Sequence, residues 1–219
     1  MNNVFIGSPV RNRAWVLERH LHSLHQQAVQ KQFKYILNDS EDQTEIILQN
    51  HHIPYVSHDM GTAHGHLRGQ YSYAHLAKLR NRLLEEFLKS DCEYLFSVDT
   101  DIVIPPHSLQ QLINNDKHIC AMLIRNHPQI KAHNALIQGR HVPEFSKGVI
   151  PVDWTGAVYL IKREVIAAGV RYAEHTSGED AAFCEHARAL GFDLFVDTGL
   201  RPVHVYAEGV ELVAELAAS

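Results

Sequence analysis

The chain has few cysteines and no surplus of positive charge, and both shortages exclude classes of protein. Its three cysteines are too few and too widely spaced for a disulfide framework or a zinc knuckle. This cysteine usage fits a reducing, cytoplasmic setting. Lys and Arg number 20 against 25 Asp and Glu, which gives a net charge of −5. The chain therefore lacks the positive field that general nucleic-acid binding requires.

Long hydrophobic runs are also missing. No apolar stretch approaches the roughly 18 residues that a membrane-spanning helix needs. The first residues, M-N-N-V-F-I-G-S-P, lack the charged and apolar regions of a signal peptide. The 45% of hydrophobic residues and 21% of charged residues are ordinary for a globular protein, and 219 residues suffice for one sizeable core. No internal repeat, low-complexity segment or linker divides the chain.

Hydrophobic periodicity predicts alternating strands and helices. Short apolar runs closed by glycine, proline or asparagine alternate with longer segments whose leucines share one helical face. This alternation predicts an α/β fold with a mostly parallel sheet and crossover helices. Strands are predicted at 4–8, 33–37, 53–56, 118–124, 157–161, 192–197 and 203–206, helices at 14–30, 45–49, 73–88, 109–113, 163–168, 179–190 and 211–218, an irregular loop at 57–71, and hairpins or loops at 126–150.

The segment from Tyr94 to Pro106, Y-L-F-S-V-D-T-D-I-V-I-P-P, is the centre of the sequence argument. Its apolar, β-prone residues predict a buried fourth strand that the two prolines close. Asp99 and Asp101 lie one residue apart, so on a strand their side chains point to the same side, with Cα atoms roughly 6.5 Å apart. Two carboxylates at the edge of a core repel each other. They mark either a solvated turn or a site for a divalent cation.

Polar residues also follow other predicted strands. Ligands of an open parallel sheet bind beyond the carboxyl ends of its strands, so these residues are expected to meet at one edge. An arginine, groups suited to a base or ribose, and a metal site would then share a cleft that suits a nucleoside diphosphate. Any one set alone would be an ordinary polar loop. The sets are Pro9, Arg11 and Asn12 after the first strand, Asn38 and Asp39 after the second, and Asp99 and Asp101 after the fourth.

Two later segments carry further candidates. In T-S-G-E-D, residues 176–180, Ser177 and Asp180 have the spacing of a capping box at a helix start. Capping uses only one of the two carboxylates in this segment, and a carboxylate fixed in a cleft can also serve as a general base. In R-P-V-H-V, residues 201–205, His204 lies among apolar residues. It is either a hydrogen-bonded core residue or a metal ligand.

Taken in order, these segments resemble the family-2-like glycosyltransferases of the GT-A fold. The motifs, which span nearly the whole chain, are D-x-D at residues 99–101, the first strand and nucleotide loop I-G-S-P-V-R-N at 6–12, W-T-G-A at 154–157 and E-D at 179–180. The resemblance implies one domain, 1–219, with a Rossmann-like sheet and a smaller acceptor-side subsheet. Residues 1–101 would form the nucleotide-sugar half, and residues 102–219 the acceptor and catalytic half.

The resemblance also implies an activity and a role for each matching residue. The activity is metal-dependent transfer of a sugar from a nucleoside-diphosphate sugar, UDP by default, to a hydroxyl of a saccharide or other acceptor, with inversion. Asp180 would be the catalytic base, Glu179 would position the acceptor, and Asp101, Asp99 and His204 would hold Mn²⁺ or Mg²⁺. The remaining assignments are Pro9, Arg11 and Asn12 in the nucleotide loop, Asp39 at the base, Arg80 and Asn81 as a donor-contacting pair, Asp99 and Thr100 at the donor, and Trp154 and Gly156 at the acceptor.

Two alternatives remain open. Residues 99–103, D-T-D-I-V, also fit the nucleophile loop D-x-D-x-[TV] of haloacid-dehalogenase-type phosphatases, although that loop usually follows the first strand. A non-catalytic nucleotide- or carbohydrate-binding module is the other alternative. The larger members of the transferase family carry acceptor-binding elements or membrane segments that this chain lacks, so the resemblance does not identify the acceptor.

Overall fold

Strands and helices alternate through most of the chain. The computed structural model describes residues 3–61, 70, 72–142 and 144–217. The helices are α1 (Ala14–His25), α2 (Thr44–Asn50), α3 (Tyr73–Lys89), α4 (Ser108–Asn114), α5 (Arg163–Ala167) and α6 (Glu179–Ala189). The strands are β1 (Asn3–Gly7), β2 (Pro9–Val10), β3 (Gln30–Phe33), β4 (Tyr35–Leu37), β5 (Tyr55–Ser57), β6 (Tyr94–Val98), β7 (Ile102–Val103), β8 (Ile119–Met122), β9 (Leu136–Ile137), β10 (Arg140–His141), β11 (Val149–Val152), β12 (Val158–Lys162), β13 (Leu194–Asp197), β14 (Val203–Ala207) and β15 (Val210–Leu212).

Seven strands form the central sheet, in the order β11-β13-β8-β12-β6-β1-β3. Five of them run in one direction, and β11 and β12 run against them. The predicted α/β class with a mostly parallel sheet is therefore confirmed. A parallel sheet of β2, β4 and β5 is formed by residues between Pro9 and Ser57. An antiparallel sheet of β7, β14 and β15 begins directly after the D-x-D segment.

Helices cover the central sheet with two separate hydrophobic clusters. Leu79, Leu83 and Phe87 of α3 pack with residues of α5 and α6 in one cluster. Leu109 and Leu112 of α4 pack with residues of β1, β6 and β7 in the other. A third cluster joins α1 and α2 to β4. The α/β layering follows from the one-sided apolar faces that the sequence shows on these helices.

Helix α3 is secured at both ends. Ser72 is its N-cap, and the Ser72 hydroxyl accepts a 3.3 Å hydrogen bond from the backbone N–H of His75. At the other end, the Arg163 guanidinium donates hydrogen bonds to the carbonyls of Phe87 and Ser90 and lies over the Phe87 ring. These contacts satisfy carbonyls that a helix C-terminus otherwise leaves exposed. They matter for the site because α3 carries Arg80.

Replacing Gly7 by alanine is expected to destabilise the protein by about 2 kcal/mol, as overpacking of a core does. A methyl group on Gly7 would lie 2.1 Å from the backbone oxygen of Lys34 and 2.7 Å from Cδ1 of Leu83. Backbone cannot yield as a side chain can. Urea unfolding measures the change, with Gly199→Ala as the control because its methyl group would meet only side-chain atoms. Equal stability of the two variants would contradict the prediction.

The predicted helix at 211–218 is wrong over the residues that the structure describes. Residues 210–212 form β15, where Leu212 pairs with His204 of β14. Beyond it the chain stays extended, and the backbone N–H of Ala217 donates to the carbonyl of Phe145 at 3.0 Å. Strand pairing and burial of Ala214 satisfy this segment better than an isolated two-turn helix, whose nucleation is costly.

Several other expectations concern the rest of the chain. Helix α1 ends at His25 rather than at residue 30, because residues 30–33 pair with β1 as β3. Most of the predicted loop at 57–71 lies outside the described residues, namely 62–69 and 71. All three cysteines are buried free thiols. In the described part of the chain, no helix combines the length and apolar character needed to cross a membrane.

Candidate active site

The D-x-D motif forms a tight turn between β6 and β7. The backbone N–H of Asp99 donates to the carbonyl of Ala157 at 2.7 Å, and the N–H of Ile102 donates to the carbonyl of Asp99 at 3.0 Å. The carbonyl of Asp101 accepts from the N–H of Val205 at 2.8 Å. Thr100, between the two acids, is buried. The turn is thus held from both sides, by the segment before β12 and by β14.

Arg80 connects the D-x-D turn to the E-D motif. Its Nη2 lies 2.8 Å from Oδ1 of Asp99, and its Nε lies 2.8 Å from Oε1 of Glu179. The Arg80 and Glu179 side chains are only 6% and 7% exposed, so their charges compensate each other within the protein. Nε of Arg80 is also 3.8 Å from Oδ1 of Asp180. One guanidinium therefore serves three carboxylates that lie up to 81 residues apart in the chain.

Asp180 does not cap its helix, so the predicted capping box is wrong. Gly178 occupies the N-cap with φ 108°, and no side chain makes a cap hydrogen bond there. The Asp180 carboxylate instead turns toward β12. Its Oδ1 accepts from the hydroxyl of Tyr159 at 2.9 Å, and its Oδ2 accepts a longer bond of 3.3 Å from the backbone N–H of Ala157. These two donors fix the orientation of the carboxylate.

The surroundings of Asp180 favour its protonated form more than water does. Burial raises the pKa of Asp180 to about 7, against the opposing effect of the Arg80 guanidinium, and the nearby Glu179 and Asp99 charges raise it further. The Asp180 side chain is still 26% exposed, so an incoming hydroxyl can approach it. A carboxylate with a pKa near neutrality is well suited to accept a proton during a reaction.

The W-T-G-A segment brings its backbone against Asp180. A methyl group on Gly156 would lie 2.1 Å from Oδ2 of Asp180, so only glycine leaves the carboxylate in this place. Ala157 follows with φ 65°, a left-handed conformation that is strained for alanine. In this conformation its N–H faces Asp180 and its carbonyl accepts from Asp99. Trp154, at the start of the segment, is half-buried, and its ring meets that of His175 edge-on with 5.7 Å between the ring centroids.

Asp101 and His204 lie close to each other in the site. Oδ2 of Asp101 lies 3.9 Å from Nε2 of His204, and the register of β7 and β14 places His204 opposite Ile102. Nδ1 of His204 lies 2.8 Å from the carbonyl of Arg125, an acceptor, so Nδ1 carries the hydrogen and Nε2 is directed at Asp101. Metal-binding histidines commonly donate their other ring N–H to a backbone carbonyl in this way.

These donors fit a divalent cation in chemical type. A carboxylate oxygen and an imidazole nitrogen suit Mn²⁺ and related ions. Asp99, the third predicted ligand, is instead bonded to Arg80, although its side chain is 33% exposed. Accordingly, no group of three metal-ligating side chains is assembled within the described residues. Asp101 and His204 are brought together, and ligation by Asp99 stays a prediction.

The loops after β2 and β4, which carry the predicted nucleotide-binding residues, are hydrogen-bonded to each other. The Asn12 side-chain oxygen accepts from the N–H of Glu41 at 2.8 Å, and the N–H of Asn12 donates to the hydroxyl of Ser40 at 3.1 Å. Asp39 has φ 40°, and its Oδ2 accepts from the N–H of Met60 at 2.9 Å. The predicted meeting of the first and second strand ends is present, with Pro9 on β2 and a half-buried Arg11 beside Asn12.

Asn81, which is predicted to contact the donor together with Arg80, is hydrogen-bonded to the backbone of Tyr172. Asn81 donates from Nδ2 to the carbonyl of Tyr172 at 2.8 Å, and its oxygen accepts from the N–H of Tyr172 at 2.9 Å. Its amide thus anchors the segment before α6. Contact of Asn81 with a donor stays a prediction, whereas Arg80 lies in the site.

Sequence reasoning missed two pairs of buried polar residues. Tyr159 and Tyr172 are hydrogen-bonded through their hydroxyls behind Asp180. His20 and Tyr35 are hydrogen-bonded at 2.7 Å behind the D-x-D turn, where His20 also contacts the carbonyl of Ile102. In the sequence, His20, Tyr35 and Tyr159 are ordinary helix or strand residues, and Tyr172 belongs to the connection before α6. Only their pairing in space shows their place near the site.

Lowering the pH from 7 to 5 is expected to destabilise the wild-type protein by about 2 kcal/mol more than the His20→Gln variant. Burial lowers the pKa of His20 from 6.5 to about 4. The unfolded chain therefore takes up this proton first, and stability is lost as the pH falls from 6.5 toward 4. Urea unfolding at both pH values measures the difference. The same pH dependence in both proteins would show that His20 titrates normally.

Comparisons with known proteins identify the fold. No protein-family model and no curated protein matches the sequence. Solved structures do match, and they place the chain in the GT-A-type fold of nucleotide-sugar transferases. They include A197 from STIV, with a TM-score of 0.61 and 17% identity, which covers 100% of this chain and 98% of that one.

Two further neighbours were solved with nucleotide sugars. Staphylococcus aureus TarS 1-349 in complex with UDP-GlcNAc has a TM-score of 0.60 and 16% identity, and the match covers 100% of this chain and 59% of TarS 1-349. The mannosyltransferase PcManGT from Pyrobaculum calidifontis, in complex with GDP-Man and Mn²⁺, has a TM-score of 0.55 and 14% identity over 89% of this chain and 56% of that one. The chain thus spans less than two thirds of these two proteins, and the likeness establishes the fold.

Proposed function

We propose that the chain is a metal-dependent glycosyltransferase that moves a sugar from a nucleoside-diphosphate sugar to an acceptor hydroxyl with inversion. The observation that carries the proposal is the contact of Arg80 with both Asp99 and Glu179. Through this contact, Asp99 of the D-x-D turn and Glu179 of the E-D motif lie next to the same side chain. The fold is also that of proteins solved with UDP-GlcNAc and with GDP-Man and Mn²⁺, which makes UDP the first nucleotide to test and GDP the second.

The nucleotide half, residues 1–101, would bind the donor. The interlocked loops carrying Arg11, Asn12 and Asp39 would hold the base and ribose, since they are polar and follow adjacent parallel strands. Asp99, held by Arg80, would contact the donor beside the diphosphate. Asp101 and His204 would hold the divalent cation, Mn²⁺ or Mg²⁺. When bound, that cation would stabilise the charge that develops on the leaving diphosphate.

The acceptor half, residues 102–219, would supply the base. Asp180 is held by the Tyr159 hydroxyl at Oδ1 and by the Ala157 N–H at Oδ2, which also lies against Gly156. We assign proton removal from the acceptor hydroxyl to the Asp180 carboxylate. The hydroxyl oxygen forms the new bond to the anomeric carbon as the bond to the diphosphate breaks. A single displacement of this kind inverts the anomeric configuration. Glu179 would keep Arg80 in place, and Trp154 would flank the acceptor.

The two alternatives have less support. The D-x-D turn follows β6, in the middle of the central sheet and next to the antiparallel β12, rather than the first strand as in haloacid-dehalogenase-type phosphatases. A purely binding module has no use for a carboxylate whose pKa is raised toward neutrality and that lies beside Arg80, Glu179 and Asp99. Release of phosphate from small esters without sugar transfer would favour the phosphatase.

Thermal unfolding with nucleotide sugars tests the proposal directly. A ligand that binds only the folded protein raises its midpoint by mass action. We expect UDP- or GDP-sugars to raise the midpoint in the presence of Mn²⁺ and to do so less with EDTA. A shift that is the same with Mn²⁺ and with EDTA would contradict the metal dependence. No shift with any nucleotide sugar would contradict the proposed function.

Replacing Asp101 by alanine is expected to remove the effect of Mn²⁺ on nucleotide binding. The side chain removed is the carboxylate that faces His204 at 3.9 Å, whereas the base-binding loops are untouched. Loss of a metal ligand weakens metal binding by at least about ten-fold. Calorimetric titration of UDP with and without Mn²⁺ measures the change. Asp116→Ala is the control, because Asp116 is an exposed acid paired only with Lys162. Unchanged enhancement by Mn²⁺ would exclude Asp101 as a ligand.

A further inference from the structure

His20 is a buried histidine whose two ring nitrogens are both engaged. It lies on α1 and has no exposed surface. Nδ1 is 2.7 Å from the carbonyl oxygen of Ile102, and Nε2 is 2.7 Å from the hydroxyl of Tyr35, which is also fully buried. A carbonyl only accepts, so Nδ1 carries the hydrogen. In the neutral ring Nε2 then accepts from the Tyr35 hydroxyl, which fixes one tautomer and one orientation.

The carbonyl held by His20 belongs to the residue between the two parts of the predicted metal site. Ile102 follows Asp101 directly, and its N–H closes the D-x-D turn on the carbonyl of Asp99. On the other side, the β7–β14 register pairs Ile102 with His204. The backbone of Ile102 therefore connects Asp101 to the strand pair that carries His204. His20 binds the carbonyl of Ile102, which belongs to the peptide that leads to Val103.

The same two residues lie on elements that adjoin the loops proposed to bind the nucleotide. His20 lies on α1, the helix that follows the loop of Arg11 and Asn12. Tyr35 begins β4, the strand that leads into Asp39. The pair thus joins α1 and β4 to β7, and each of these elements adjoins residues proposed to bind the donor or the cation. Because all of these contacts are buried, water cannot replace them if either side chain is lost.

We propose that His20, oriented by Tyr35, is a positioning residue that holds the Ile102 peptide so that Asp101 and His204 can bind a divalent cation together. This inference rests on the proposed function, because it assigns a role within the donor site of a metal-dependent transferase. His20 contacts neither the sugar nor the nucleotide in this role. Its effect passes through one backbone carbonyl to the geometry of two metal-binding side chains.

Two neutral substitutions separate this role from general stability. The amide nitrogen of His20→Asn can occupy the place of Nδ1 and donate to Ile102, whereas the amide of His20→Gln reaches the place of Nε2, next to Tyr35. We expect His20→Gln to weaken Mn²⁺ binding in the presence of UDP about ten-fold, and His20→Asn to weaken it much less. UDP affinity without metal is expected to stay at the wild-type value in both. Tyr35→Phe keeps the contact of His20 with Ile102 but removes the hydroxyl that orients the His20 ring. Its Mn²⁺ affinity is expected to lie between those of the two His20 variants.

Mn²⁺ titration followed by electron paramagnetic resonance, with UDP and in parallel with GDP, measures these affinities without any turnover. Leu48→Ala on α2 is the control for lost stability, since Leu48 is fully buried in the cluster around α1 and β4 but outside the cluster that contains Ile102. Equal weakening by His20→Asn and His20→Gln, or weakening that merely follows stability as in Leu48→Ala, would overturn the positioning role. If Mn²⁺ does not tighten either nucleotide on the wild-type protein, the proposed function fails first, and the inference falls with it.

Discussion

Asp180→Asn is expected to lower the rate of sugar transfer at least about 10³-fold, because general-base catalysis contributes typically 10² to 10⁴. The substitution keeps the shape of the side chain but removes the group that takes the acceptor proton. The new amide can donate to the Tyr159 hydroxyl, which can in turn donate to Tyr172, so the buried pair remains satisfied. Donor binding is expected to be unchanged, because the carboxylate does not lie in the nucleotide loops.

The same variant is expected to be more stable than the wild type at pH 8. Burial raises the pKa of Asp180 from 3.8 to about 7. The stability associated with its protonated form is present below pH 3.8 and is lost as the pH rises through 7, by roughly 2 kcal/mol or more. Initial rates with the donor found by thermal unfolding, nucleotide titrations and urea unfolding test the three expectations. Loss of nucleotide affinity, or a rate near that of the wild type, would contradict the assignment of Asp180 as the base.

Arg80→Met is expected to destabilise the protein by about 3–5 kcal/mol, as removal of one partner of a buried ion pair does. Methionine has a similar length but carries no charge, so Glu179 would remain 7% exposed without its cation. Asp99 would also lose its 2.8 Å contact, and the turn that carries the D-x-D motif would lose its orientation. We therefore expect transfer to be abolished even at temperatures at which the variant is folded.

Arg82→Met supplies the matched comparison for Arg80. Arg82 lies on the same helix two residues later and pairs with the exposed Glu85 and with Glu86, which keeps a second partner in Lys89. Exposed pairs of this kind contribute roughly 0–1 kcal/mol each. Urea unfolding and donor titration of both variants measure the contrast. If the two variants unfold alike, the cluster of Arg80 with its carboxylates does not stabilise the fold as its burial indicates.

Features that depend on local pattern could be predicted from the sequence. The leucine spacing of residues 73–88 predicts α3 to within one residue, and the apolar run before Asp99 predicts β6. The resemblance predicts that Arg80 contacts the donor, and that role stays a prediction; the structure places Arg80 beside the D-x-D turn. In each case the signal is a short-range periodicity or a motif that a few neighbouring residues define.

Features that depend on distant partners could not be predicted. Tyr159 lies in an ordinary apolar strand, and its partner Asp180 is 21 residues away. His20 and Ile102 are 82 residues apart. The capping box was the natural interpretation of Ser177 and Asp180, but the Tyr159 hydroxyl and the Ala157 amide bind the carboxylate instead. The terminal residues have helical spacing, yet pairing with β14 and Phe145 outweighs that weak local preference.

The contact of Arg80 with both motifs has a consequence for how such sequences can diverge. Substitution at position 80 leaves Glu179 and Asp99 without their cation, and substitution at position 99 or 179 removes one of the carboxylates that compensate the buried Arg80 charge, so each one alone is costly. The three positions can change with little loss only when they change together. Among relatives of this chain, we expect these positions to covary as one unit, and lineages that have lost the reaction to have lost all three charges rather than one.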